Sequence, residues 1–187
     1  MDKKVSLPQG IMMKGVYTFR RATLSLPEHF ALDSMIAKLR DEGREYLHLV
    51  RKLNEMCRAE TFVIENIVPT VARTMLANNL TSASPTNVMK ITHCALGSSG
   101  TAPANGDTQL GTETYRNAIA SITNANNVAY ATGFFSATET SGTYAEAGIF
   151  SNGTGSANSG VIFSHVLASI TKTTAQTLTV DWTITFS

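Results

Sequence analysis

Between Leu178 and Phe186 the chain alternates strictly: Leu178, Val180, Trp182, Ile184 and Phe186 are apolar, and the residues between them are Thr179, Asp181, Thr183 and Thr185. Successive side chains of a strand point to opposite faces, so this segment predicts a strand with one face in a core and a threonine row on the other. The run from Phe134 to Phe150, broken by Ser141-Gly142, predicts a hairpin closed by a glycine turn. Further strands are expected at 88–96, 117–123, 128–132 and 161–168, with 124–127 and 151–160 as loops by composition. Six or seven short strands separated by turn residues suggest an antiparallel β-sandwich over residues 81–187.

The pattern before residue 80 has a different period. Ser25-Leu26-Pro27-Glu28 has the form of a capping box with proline in the first turn. Leu32, Met35, Ile36 and Leu39 follow at helical spacing, and Asp41-Glu42-Gly43 interrupts or weakens the helix. Tyr46, Leu49, Val50, Leu53, Met56 and Cys57 form a second apolar stripe, and Val71, Met75 and Leu76 mark a third helix over 69–78. Residues 1–24 show no clear period. They are read as an extended arm in which Ile11, Met12, Met13, Tyr17 and Phe19 are candidates for docking on a partner. The expected class is α+β: an arm (1–24), a helical docking region (25–80) and a β-sandwich (81–187).

Charge sharpens that division. Residues 1–80 hold 12 basic and 9 acidic side chains, whereas residues 81–187 hold 3 and 5. The net charge of +1 and an aromatic content of 7% argue against a nucleic-acid surface. No stretch has the roughly 18 apolar residues of a membrane helix, so no membrane insertion is expected. The first residues hold no apolar run of secretory-signal length, and Cys57 and Cys94 lie far apart, so synthesis in a cytoplasm with reduced thiols is expected.

The motifs of common catalytic centres are absent: no Gly-x-Ser-x-Gly, no phosphate-cradling glycine loop and no His-Glu-x-x-His. His29, His48, His93 and His165 are scattered, and His93-Cys94 are strand neighbours that point apart. No catalytic residue, metal or cofactor is expected. Glu113 and Arg116 are spaced for a local ion pair. Glu146 sits in the mostly apolar run Ala145-Glu146-Ala147-Gly148-Ile149-Phe150, where an unpaired charge is costly, so a buried pair with Arg116, Lys172 or Lys90 is expected.

The stretch Ala95-Leu96-Gly97, Thr101-Ala102-Pro103, Asp107-Thr108-Gln109-Leu110, then Glu113 and Arg116, resembles a pattern in structural proteins of tailed-phage particles. Phe134-Phe135, Gly142 to Phe150, Phe163-Ser164, Lys172-Thr173 and Leu178 to Ile184 follow in the same order, and the resemblance spans about residues 61–187. It implies a virion module of a tail, fibre, baseplate, neck or capsid surface, with no catalytic residues. The partners it implies are further copies of itself, as a trimer or larger ring, and other virion proteins. The alternatives are a module binding a host-surface glycan and a capsid decoration or head-fibre protein.

Overall fold

A computed structural model of the protein describes residues 13–24, 26–42, 46–56 and 59–186. It is mostly antiparallel β structure in two sheets, an arrangement compatible with a β-sandwich. The strands are β1 (Met13–Thr23), β2 (Glu60–Asn66), β3 (Ile91–Gly97), β4 (Glu113–Ala118), β5 (Ser121–Ala125), β6 (Val128–Phe135), β7 (Gly142–Ser151), β8 (Val161–Lys172) and β9 (Gln176–Phe186). The helices are α1 (Leu26–Asp41), α2 (Leu47–Met56) and α3 (Thr70–Thr81). The first sheet has the order β2-β1-β9-β6-β5 and the second β4-β3-β7-β8.

The alternation in β9 has the expected effect. Leu178, Val180, Trp182 and Ile184 enter a core with Tyr17 and Phe19 of β1 and with Cys94, Leu96, Ala147, Ile149 and Val166 of the second sheet. Trp182 meets Phe163 edge to face at 5.6 Å, and the Tyr17 hydroxyl crosses between the sheets to the Ser164 carbonyl at 3.2 Å. Fully burying such side chains contributes about 1.5–3 kcal/mol each. On the other face of the first sheet, Phe134 packs with Ile36 of α1, with Tyr46 and with Leu32 and Leu39. On the far face of the second sheet, Ala95, Phe150 and Ile162 pack with Leu110 and with Val71 of α3.

Three expectations are corrected. Residues 13–23 are a strand, not an arm: β1 lies between β2 and β9, paired from Met13 with Phe186 to Thr23 with Gln176. A boundary near residue 80 therefore cuts through the first sheet, which takes β1 and β2 from before it and β5, β6 and β9 from after it. The run 134–150 is not a hairpin either, because β6 belongs to the first sheet and β7 to the second. A tight hairpin forms instead at β5–β6 across Asn126-Asn127, with Asn126 at φ 51. Just before it the chain changes sheets: Ile119 N–H donates to Thr92 of the second sheet, and Ala120 N–H to Thr132 of the first. The third helix begins after Pro69, as its pattern suggests, and runs on to Thr81. Ser25, Gly43 and Cys57 of the sequence reading lie outside the described residues.

Candidate functional site

Glu146 of β7 is fully buried, on the far face of the second sheet beneath the 98–112 loop. Its carboxylate accepts three backbone N–H groups: Ser99 at 3.2 Å, Gly111 at 2.9 Å and Thr112 at 2.7 Å. A fourth contact comes from His165 Nε2 of β8 at 3.0 Å. The other ring nitrogen, Nδ1, lies 2.7 Å from Asp107 Oδ2, which also accepts the Ala104 N–H at 2.8 Å. The imidazole thus stands between two carboxylates, and both contacts are hydrogen bonds when both nitrogens carry hydrogen. Close backbone approach makes the nest possible. A Cβ on Gly97 would lie 2.4 Å from Glu146 Oε1, and one on Gly111 would lie 2.6 Å from Ser99 Oγ.

This corrects the expected partners of Glu146, which are backbone amides and His165 rather than Arg116, Lys172 or Lys90. Arg116 is engaged by Glu113 in a bidentate pair, Nε to Oε1 at 2.6 Å and Nη2 to Oε2 at 2.7 Å, with both side chains buried. Its remaining nitrogen, Nη1, donates to the Thr154 carbonyl, the Ser159 carbonyl and Ser159 Oγ at 2.9–3.1 Å. The guanidinium lies 4.5 Å from the Phe150 ring centroid, a cation–π distance. Together the pair ties the 152–160 loop to β4.

Lys172, only 1% exposed, donates to the carbonyls of Ala137 at 3.1 Å and Thr140 at 2.5 Å. These belong to the corner that carries the chain from β6 to β7. Glu139 in the same corner accepts the Ser136 N–H and Asn117 Nδ2, and Thr138 donates to Asp33 of α1. Burial lowers the Lys172 ammonium to about 8, with Glu139 and Asp33 opposing. The sign of the pH effect follows. Between about pH 8 and 10.5 the unfolded chain holds a proton that the folded chain has released, so stability from this site rises with pH across that window. Thermal unfolding of wild type and Lys172→Met at pH 7.5 and 9.5 tests it: the wild type gains on the variant at the higher pH, and a constant difference refutes the assignment.

The docking candidates fall differently. Tyr17 and Phe19 are fully buried and stack on each other at 5.7 Å, and Met13 is partly buried against the same core. Burial in their own sheet excludes Tyr17 and Phe19 from a partner surface. Ile11 and Met12 lie outside the described residues. The sequence offered neither His165 nor Asp107 as a partner in the Glu146 cluster. Their signal was weak: one histidine in the apolar run Val161 to Leu167 and one aspartate in a loop. The Cys94 thiol is pushed up to about 12 by burial, with Glu113 adding, so it stays protonated and unreactive.

Two hollows accompany these clusters. A depression of about 280 Å³ opens over Glu146, His165, Asp107 and Ser99. A broader groove of about 710 Å³ runs across the open face of the first sheet, with a floor that includes Thr18, Arg20, Thr132, Asp181 and Thr183 and a wall that includes Arg51 and Glu55 of α2. Asp181 accepts Thr132 Oγ1 at 2.6 Å and pairs with Arg20. No family model, curated protein or solved structure matches the chain. The sites therefore speak only through their own geometry. In each of the three clusters the ionisable group is directed at backbone: Glu146 at amides, Arg116 and Lys172 at carbonyls.

Proposed function

We propose that this chain is a structural component of a tailed-phage particle, built as a β-sandwich, assembled in a host cytoplasm and docked on other virion proteins. The observation that carries the reading is the use of the buried charges. Glu146, Arg116 and Lys172 each fasten a long loop or corner to a sheet, as suits a protein whose task is to keep its shape. The ordered resemblance over residues 61–187 points the same way. In this reading copies of the chain associate with one another, and the exposed part of α1 around Met35, 48% exposed, faces a neighbour in the particle. Labelling purified particles with an antibody to this chain and imaging them tests the reading. Label at one fixed station is expected; particles complete and infective without the chain overturn it.

A second reading, a host-surface glycan module, is favoured by the groove on the first sheet. Its threonine hydroxyls, the Arg20–Asp181 pair and the exposed ring of Tyr130 suit a neutral polyhydroxylated ligand. A glycan array separates the two readings, since retention of a saccharide that Asp181→Asn abolishes supports the second.

A further inference from the structure

The two sheets have four edges, and three of them are covered or charged. β8 is bridged by Ile67, whose N–H and carbonyl both bond His165 at 3.0 Å, and α3 packs along it. β2 carries Glu60 and Glu65, which pair with Arg21 and Lys14. β4 carries the buried Glu113–Arg116 pair, to which Thr154, Asn158 and Ser159 of the 152–160 loop are bonded. The remaining edge, β5, has the sequence Ser-Ile-Thr-Asn-Ala, with no charge, proline or glycine, and residues 122–125 are all exposed. No charged residue occurs anywhere from 117 to 138. Edge strands expose unpaired N–H and carbonyl groups, and proteins normally blunt them with charge, proline or cover. Among the described residues β5 has none of these, and Ile122 within it is 49% exposed.

We propose that β5 is a self-docking edge, where β5 of a second copy adds antiparallel across a two-fold axis at Thr123. The register follows from the hairpin. Ala125 and Val128 flank its two-residue turn and exchange both backbone bonds, so Ala125, Thr123 and Ser121 turn their N–H and carbonyl groups to β6. Ile122 and Asn124 therefore turn theirs outward. A two-fold axis at Thr123 sets Ile122 of each copy opposite Asn124 of the other, with both bonds exchanged in each pair. Thr123 then meets Thr123 as a close, non-hydrogen-bonded pair at about 4.5 Å between Cα atoms. The contact is self-complementary, and no like charges meet across it.

Strand direction separates this contact from a ring. Every pairing in the first sheet is antiparallel, so its two edge strands, β2 and β5, run the same way. A ring axis along the strands would set β5 of one copy beside β2 of the next in parallel, and β2 brings its two glutamates. The two-fold contact keeps the antiparallel pattern. It joins five strands from each copy into one sheet and gives an even number of subunits instead of a trimer.

The proposal deepens the self-association in the reading above and rests on that part of it alone. Light scattering of the full chain across a concentration series should show a dimer. Ile122→Lys places like charges diagonally across the axis and should weaken dimerisation at least about tenfold with the fold retained. In a Cys57→Ser background, Thr123→Cys should give a covalent dimer under oxidising conditions, because the expected Cα separation suits a disulfide. A wild type that stays monomeric at every concentration overturns the proposal. An Ile122→Lys variant that dimerises as tightly as wild type also overturns it. Should that variant misfold, the Thr123→Cys experiment decides alone, and absence of the covalent dimer refutes this edge. The particle-labelling experiment is scored separately, so failure of the dimer leaves the virion reading to its own test.

Discussion

Glu146→Ala should cost about 3–5 kcal/mol of folding stability, the range for removing one partner from a buried charged network. Three amides of the 98–112 loop and His165 Nε2 lose their acceptor at once. Each buried donor left unsatisfied costs roughly 1–3 kcal/mol, and partial collapse of the loop limits the total. For a chain of this size the melting temperature should drop by about 10 °C, at about 2–4 °C for each kcal/mol. The damage has an address: hydrogen exchange should accelerate first at Ser99, Gly111 and Thr112. Glu146→Gln should fall between wild type and Ala, since one amide oxygen accepts while the amide nitrogen faces donors. A melting temperature within a degree of wild type for Glu146→Ala would show that the nest is not what holds the loop.

Arg116→Met is expected to have an effect of similar size by the opposite route. It leaves the Glu113 carboxylate, whose side chain is 1% exposed, with the Asn158 N–H as its remaining donor among the described residues, and it strips the donor from Thr154 and Ser159. The loss should again be about 3–5 kcal/mol. Adding Glu113→Gln removes the stranded charge, so the double variant should recover part of that loss and lie closer to wild type than the sum of the single changes. Denaturant unfolding of the four proteins measures the coupling. Strict additivity would mean that Arg116 serves the loop and the Phe150 ring but not Glu113.

β9 was legible because from Leu178 onward one of its faces is apolar and the other polar, so period two survives in the sequence. β1 was not. Tyr17 and Phe19 point into the core, but Val16 is only half-buried on the opposite face and Arg20-Arg21 follow, so the alternation dissolves. The misread hairpin at 134–150 has another cause. Local pattern reports that residues are extended but not which sheet they join, and the corner at 136–141 turns the chain from one sheet to the other. Glu146 stood out as a charge in an apolar strand. Its partners did not, because backbone amides have no side-chain signature and their convergence depends on the path of a loop forty residues earlier. Arg116 and Glu113 were legible as near neighbours in a charge-poor stretch, but three residues apart on a regular strand they would face opposite sides, and the register shift that leaves Thr114 as an extra residue in β4 is what brings them together.

The pairing of β1 with β9 sets a timetable for synthesis. β1 has emerged by Thr23, yet its long partner is complete only at Phe186. At a translation rate of about 5–20 residues per second, that strand waits about 8–33 seconds with Tyr17 and Phe19 uncovered. β2 can pair with it early, but the inner face of that two-stranded ribbon stays bare until β9 arrives. Contacts this distant in sequence close slowly, so the first sheet should be the last part of the molecule to form and the first to profit from a chaperone.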